Sequence, residues 1–223
     1  LVGFAVVMVY TVSGGFLAVV WSDVFQGTLM VIGLAALPII ALVHMGGWGP
    51  VSAALAAADP NLLSWTGGMG WTATGVASIL GLGLIGLGFL GSPQIFVRFL
   101  ALRDESEISK GTATAIIWTI IADGGAVMIG LCGRAILVGS DLGNGGQDVL
   151  PLLVDQLLPA FLVGIYIAIV LSATMSTVDS LLVVASSAFV RDYHQQIKNP
   201  ELSDESLLSM GRNTTFALAA VAF

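Results

Sequence analysis

Small residues whose carbonyl or hydroxyl oxygens could act as ligands recur at helical spacing inside one long apolar segment, residues 157–185. The positions follow the spacing i, i+3, i+4, i+7, and they are Ala173, Ser176, Thr177 and Ser180. At about 100° per residue, such positions share one face of a helix. Carbonyl and hydroxyl oxygens are uncharged, hard ligands, which suit an alkali cation that must be bound and then released. The stripe therefore predicts a cation site at or near membrane depth.

The same spacing also has a purely structural interpretation. Hydroxyls of Ser and Thr in membrane helices often bond to the carbonyl oxygen four residues earlier, or hold neighbouring helices together. Asp179 lies in the same segment, and a carboxylate inside a membrane is a functional candidate by default. Both interpretations stay open on spacing alone, and Asp179 favours the functional one.

Glycine is dense in residues 81–93, whose sequence is GLGLIGLGFLGSP. Each glycine costs a helix about 1 kcal/mol relative to alanine, so we expect the helix to be broken or unwound here. A phosphate-binding loop is excluded because no Lys-Ser/Thr pair follows the glycines. The segment is either a close-packed helix face or a broken helix of the kind that binds substrate and ion in transporters.

One further carboxylate, Asp123, lies in the middle of an apolar segment. It could contact a substrate, relay a proton, pair with a polar group or make a structural hydrogen bond. No constellation of His, Glu and Cys supports hydrolysis or redox chemistry, so we expect neither an enzyme nor a cofactor. The single cysteine, Cys132, excludes an intrachain disulfide and is expected to pack as a small apolar residue.

The composition defines the class of protein that positions these residues. Of 223 residues, 57% are hydrophobic and only 9% are charged, and the mean hydropathy is +0.98. A soluble domain carries about 25% charged residues, so the chain is predicted to be an integral membrane protein with the lipid bilayer as a partner. Alternating strand patterns are absent, which predicts an all-α bundle. The net charge of −7 comes without a basic cluster, which excludes a nucleic-acid partner.

Apolar runs of about 20 residues predict roughly six spans in a single transmembrane domain covering residues 1–223. The spans lie near 2–20, 24–43, 71–97, 112–133, 157–190 and 213–223, with a break at residues 21–23 between the first two. Six of the seven basic residues fall in the loops 98–111 and 191–212, which the positive-inside rule places in the cytoplasm. Both ends lie in apolar runs, so we expect this chain to be a piece of a larger protein.

Three motifs resemble the sodium:solute symporter family, close to its sodium/proline symporters. The first is YTVSGGFLAV at residues 10–19, followed by Trp21, Ser22, Asp23 and Gln26. The second is GLGFLGSP at residues 86–93, followed by Arg98 and Phe99. The third is Met175, Ser176 and Thr177, followed by LLV at residues 181–183, Ser186, Ser187, Asp192 and Tyr193. The motifs occur in family order over nearly the whole chain.

The resemblance implies a bundle of two inverted five-helix repeats, of which this chain holds the last part of the first and most of the second. It implies that Ala173, Ser176 and Thr177 form half of a sodium site, whose other half comes from helices of the parent chain outside this one. It implies cation coupling at Asp23 and, in some members, at Ser180; Asp179 is a further candidate from its position.

For the solute, the resemblance implies binding along the glycine-rich helix at Ile85, Phe89 and Pro93. The proline symporters have Trp and Tyr where this chain has Ile85 and Phe89, so the selectivity of a dry pocket would differ. The implied function is sodium-coupled symport of a small organic solute, such as proline or another amino acid, by alternating access in a bacterial plasma membrane. The alternative is a transporter-like sensor module of a signalling protein.

Overall fold

The computed structural model describes residues 2–89 and 91–222, and within them the chain forms helices and turns without a strand. The α-helices are α1 (Val2–Met45), α2 (Trp48–Ala58), α3 (Ala73–Phe89), α4 (Pro93–Leu100), α5 (Glu107–Ile136), α6 (Val149–Leu157), α7 (Ala160–Ser187) and α8 (Asp204–Ala222). Short 3-10 turns lie at Pro60–Leu63 and Asn144–Gly146, and a π-helical segment at Ala188–Lys198 continues α7. The predicted all-α membrane class is confirmed.

Fewer of the described helices qualify as candidate spans by length and composition than the six predicted. Among the described residues, α1, α5 and α7 are long and apolar enough to cross a membrane, and α3 with α4 makes a fourth if the bent pair is one span. Residues 213–222 of the last predicted span, 213–223, lie within α8, and residue 223 lies outside the described residues. Helix α8 begins earlier, at Asp204, and carries acidic residues in its first turn. The two loops predicted to be cytoplasmic are also shorter, because α4, the π-helical segment and α8 extend into them.

The break predicted at residues 21–23 is wrong. Helix α1 continues through these residues and departs from helical dihedrals at Gly15 (φ 58°, ψ −147°). Ser22 does not cap a new helix, because its hydroxyl donates to the carbonyl of Val19 in the same helix, at 2.9 Å. Glycine adopts a positive φ without steric cost, so the chain bends at Gly15 rather than at Ser22 and Asp23.

The glycine-rich segment is helical over most of its length. Helix α3 runs unbroken to Phe89 and α4 begins at Pro93, so the helix is interrupted within the segment, as predicted, but only in its last part. A Cβ added at Gly81, Gly83 or Gly86 would meet no atom within 4 Å. A close-packed glycine face is therefore not formed among the described residues, and Leu90 lies outside them.

The chain divides into two compact units, and the predicted single domain remains a prediction. The first unit comprises residues 2–30, 96–100 and 168–222, and the second comprises residues 31–89, 91–95 and 101–167. In the second unit, α2 packs on α5 and on the end of α1 through a buried cluster of Ala41, Val51, Leu55, Cys132 and Ala135. The predicted packing role of Cys132 is confirmed, since this thiol is buried and free.

The first unit brings the start of α1 together with α4, α7 and α8. The hydroxyl of Ser186 on α7 donates to the carbonyl of Gly211 on α8 at 2.8 Å. The guanidinium of Arg212 on α8 donates to the carbonyl of Ser13 on α1 at 3.1 Å. These bonds fix α7 and α8 against the segment of α1 that precedes Gly15.

Candidate functional site

Asp23 on α1 lies at the centre of a polar cluster in the first unit. One of its carboxylate oxygens accepts a hydrogen bond from Ser176 on α7 at 2.7 Å. The other forms an ion pair with Arg98 on α4, and the same guanidinium donates to the hydroxyl of Ser180 at 2.7 Å. Asp23 therefore connects two residues of the predicted oxygen stripe, directly at Ser176 and through Arg98 at Ser180.

Asp179 forms the second part of the cluster and is completely buried. It accepts a hydrogen bond from the Tyr10 hydroxyl at 2.5 Å and longer bonds from Ser22 and Ser180, each at 3.3 Å. Buried carboxylates are stable only when such donors replace water. The three hydroxyls, two from α1 and one from α7, hold this carboxylate between the two helices.

The ligand atoms of the cluster suit a hard cation. Asp23 and Asp179 supply two carboxylates, and Arg98 supplies the only cationic side chain bonded to either of them in the described part of the chain. With both acids ionised, the cluster carries one net negative charge in surroundings of low dielectric constant, where charge interactions are strong. Carboxylate and hydroxyl oxygens are the ligands that hard cations prefer.

The three residues of the predicted sodium half-site lie on one face of α7. The hydroxyl of Thr177 donates to the carbonyl of Ala173 at 3.2 Å, which is the structural bond that the spacing left open. That bond uses the hydroxyl hydrogen and leaves lone pairs on the Thr177 oxygen, whereas the Ala173 carbonyl also accepts a backbone N–H of the helix. Ser176 instead donates to Asp23, so the predicted half-site and the predicted coupling carboxylate share one hydrogen-bond network.

The predicted solute residues lie in the second unit. Ile85 and Phe89 are one turn apart on α3, each 59% exposed, and Pro93 is exposed at the first position of α4. Their spacing places Ile85 and Phe89 on the same helix face. Asp123 is exposed on α5 in the same unit. The roles that the sequence predicts for these four residues stay predictions.

Sequence reasoning missed three members of the cluster: Tyr10, Ser22 and Arg98. Tyr10 contributed only to a family motif, Ser22 to the same motif and to the predicted break at 21–23, and Arg98 to the second motif and to the orientation of the loops. The sequence did contain a signal for Arg98, because this arginine lies at the end of the apolar run that forms α4. In the structure its side chain is half-buried there. A cation in that position needs an acidic partner, and Asp23 is one of the few carboxylates in the apolar segments.

Comparison with known proteins identifies the family. The profile of the sodium:solute symporter family matches residues 1–223. The chain is 34% identical over 218 residues to the high-affinity proline transporter PutP of Bacillus subtilis, covering 97% of this chain and 45% of that protein. It is 32% identical to the osmoregulated proline transporter OpuE of Bacillus subtilis, covering 98% and 44%, and 33% identical to the sodium/proline symporter of Staphylococcus aureus, covering 97% and 42%.

The chain spans less than half the length of these relatives. No solved structure matches it. The family match over the whole chain agrees with the three motifs and with the all-helical fold. The chain belongs to the sodium:solute symporter family.

Proposed function

We propose that this chain is part of a sodium-coupled symporter that carries a small organic solute, proline or another amino acid, across a bacterial plasma membrane by alternating access. The hydrogen bond between Ser176 and Asp23 carries the proposal, because it joins the predicted sodium residues to the predicted coupling carboxylate. The relatives, which their names describe as proline transporters, support the solute class.

In this proposal, sodium binds at the carbonyl of Ala173 and the hydroxyls of Ser176 and Thr177, with the remaining ligands from helices of the parent chain. Asp23 lies one hydrogen bond away and attracts the cation electrostatically. Arg98 is the competing positive charge on Asp23. A sodium ion that approaches Asp23 weakens this ion pair, so occupancy of the site favours a different arrangement of α4.

Asp179 and Ser180 extend the site on the side away from Ala173. Ser180 bonds both Arg98 and Asp179, at 2.7 Å and 3.3 Å. A change in the Asp23–Arg98 pair therefore reaches Asp179 through one hydroxyl. We assign Asp23, Asp179 and Ser180 to cation coupling, with Arg98 as the residue that positions Asp23.

The solute is proposed to bind near the interruption between α3 and α4, at Ile85, Phe89 and Pro93. Backbone groups freed at a helix break are typical ligands for substrates in transporters. Phe89 offers an aromatic face without a hydroxyl, and Ile85 offers an aliphatic surface, which favours a compact, partly apolar solute. Asp123 receives no role in this proposal.

The orientation is part of the same proposal. The ion pair places Asp23 beside Arg98, which lies in the last turn of α4, just before the loop at 101–106. That contact supports a common, cytoplasmic side for the Asp23 region and this loop. The sodium cluster then lies toward the cytoplasmic end of α7.

The test is uptake by the full-length protein in proteoliposomes. A panel of labelled amino acids, including proline, is offered under an inward gradient of sodium or of potassium. We expect uptake of one solute class with sodium only, and we expect Asp23→Asn to raise the half-saturating sodium concentration. Asp104→Asn is the matched control: Asp104 lies in the exposed loop, and hydrogen bonds from the Ser106 side chain and backbone hold its pKa below the ordinary value.

The outcomes separate the two functions. Sodium-dependent uptake with a changed sodium dependence in Asp23→Asn supports symport. Solute binding without uptake would contradict symport and favour the sensor module. Equal effects of Asp23→Asn and Asp104→Asn would contradict the assignment of Asp23.

A further inference from the structure

A cavity of about 460 Å³ lies within the first unit, where α1, α7, the π-helical segment and α8 meet. It contains none of the residues assigned above to sodium or to the solute. Gly14 and Gly15 form part of its wall, at the point where α1 leaves helical geometry. The cavity is therefore a separate feature of the first unit.

The wall of the cavity contains a buried hydroxyl that has no partner. Thr11 is 2% exposed, and its Oγ1 atom makes no hydrogen bond among the described residues. A threonine in a helix ordinarily bonds back to a carbonyl of the preceding turn, as Thr215 on the same wall does to Gly211 at 2.9 Å. Leaving a buried hydroxyl unpaired costs free energy, so Thr11 is a donor ready for a bound group.

Two arginines on the lining give the cavity a positive charge. The side chain of Arg191 makes no hydrogen bond or ion pair in the described part of the chain. Arg212 uses one amino group for the Ser13 carbonyl, which leaves other guanidinium hydrogens free. Asp204 is the single carboxylate on the lining, so the charged residues sum to one net positive charge.

The backbone of α1 adds to this field. The chain leaves helical dihedrals at Gly15, and a Cβ there would meet nothing within 4 Å. The helical segment that restarts after Gly15 places its N-terminal end at the cavity wall, where the first backbone N–H groups and the helix dipole favour an anion. The helix end, the two guanidiniums and the Thr11 hydroxyl all favour negative charge.

We propose that this cavity binds a phosphate group, either in the headgroup of an anionic phospholipid or as free phosphate. Guanidinium groups bind phosphate oxygens through paired hydrogen bonds, and Thr11 supplies a further donor. Val190 and Leu207 on the lining are apolar and buried, which suits the beginning of the acyl chains of a lipid. The arginines belong to the segment predicted to face the cytoplasm, where anionic headgroups meet basic side chains.

The experiment measures the thermal unfolding midpoint of the full-length protein in three settings. The protein is held in phosphatidylcholine nanodiscs, in phosphatidylcholine nanodiscs with added inorganic phosphate, or in nanodiscs containing phosphatidylglycerol. We expect one of the two phosphate sources to raise the midpoint by about 3–5 °C. The setting that protects identifies the source of the phosphate.

Variants locate the site. Arg191→Gln removes a guanidinium that holds no other bond, and it is expected to abolish at least half of the rise. Thr11→Val keeps the side-chain shape and is expected to reduce the rise while slightly stabilising the protein without phosphate, since it removes an unpaired hydroxyl. Arg103→Gln, in the exposed loop outside the cavity, is the matched control and should keep the full rise.

Two results would overturn the proposal. The first is the absence of protection by both phosphatidylglycerol and inorganic phosphate. The second is an equal loss of protection in Arg191→Gln and Arg103→Gln, which would mean general attraction to a charged surface. A rise that survives in Arg103→Gln and falls in both cavity variants supports the site.

Discussion

Substitutions that break the ion pair between Asp23 and Arg98 are expected to destabilise the first unit. Replacing both residues together should lower the unfolding free energy by less than the sum of the two single losses. In Asp23→Asn, the amide oxygen still accepts from Ser176, but Arg98 loses its counter-charge. In Arg98→Gln, Asp23 is left as an unpaired carboxylate, and the shorter glutamine side chain also gives up the bond to Ser180. Asp23→Asn therefore removes the charge and keeps a neighbouring hydrogen bond, whereas Arg98→Gln removes both the charge and the bond.

The magnitude follows from the exposure of the pair. The Arg98 side chain is 39% exposed and that of Asp23 is 17% exposed. Exposed pairs contribute about 0–1 kcal/mol, whereas removing one partner of a buried pair costs about 3–5 kcal/mol. We therefore expect each single variant to lose about 2 kcal/mol of unfolding free energy, and the two to couple by about 1–2 kcal/mol.

The assay is a double-mutant cycle on the purified full-length protein, with unfolding free energies taken from denaturant titration. The Asp23→Asn/Arg98→Gln double variant should be less destabilised than the sum of the singles. Arg103→Gln with Asp104→Asn, both in the exposed loop, should show no coupling. Additivity of the Asp23 and Arg98 variants within about 0.5 kcal/mol would refute the ion pair as a stabilising contact.

Three further predictions concern packing and the backbone. Gly15→Ala should destabilise the protein by about 1–3 kcal/mol, because Gly15 has a φ of 58°. Gly81 is helical and has open space around it, so Gly81→Ala should stabilise the protein by about 0.5–1 kcal/mol. Denaturant titration measures both changes, and equal effects would contradict the bend at Gly15. Gly125→Ala should lower the thermal unfolding midpoint, because its Cβ would collide with a backbone carbonyl of α1, and Gly124→Ala, which meets nothing within 4 Å, should not; similar midpoints would argue against this contact. Cys132, which is 0% exposed, should resist a maleimide reagent until the protein is denatured. Rapid labelling of the folded protein would show that this thiol is not buried in the core of the second unit.

Composition and periodicity were sufficient to predict the class and most helices. The apolar content required a membrane bundle, and α5 and α7 fall close to the apolar runs that predicted them. The Ala-rich stretch at residues 51–58 also predicts a short helix, and it lies within α2. Local signals suffice here, because a long apolar run in a bilayer has no alternative to a helix.

The break in α1 could not be located from local signals. The pair Ser22-Asp23 looks like a helix cap, yet its side chains bond within α1 and to distant residues instead. No bend was predicted at the Gly14-Gly15 pair. A cap and a tertiary partner compete for the same side chain, and sequence spacing does not say which one wins.

The oxygen stripe was predicted from spacing, but its partners were not. Helical periodicity places Ser176 and Ser180 on one face of α7, whereas their contacts with Asp23 and Arg98 join residues 153 and 82 positions apart. Such contacts depend on how helices pack, which a single sequence encodes only through motifs. The family motifs therefore supplied Asp23, and Arg98 became visible as a partner only in the structure.

The sodium dependence of solute uptake in a Ser176→Ala/Thr177→Ala variant tests the central claim most directly. In proteoliposomes of the full-length protein, the half-saturating sodium concentration should rise about tenfold or more, since two cation ligands are lost. Thr174→Ala is the control on the same helix, because its hydroxyl donates only to the Leu171 carbonyl. Unchanged sodium dependence in the double variant, or an equal rise in Thr174→Ala, would contradict the sodium site on α7.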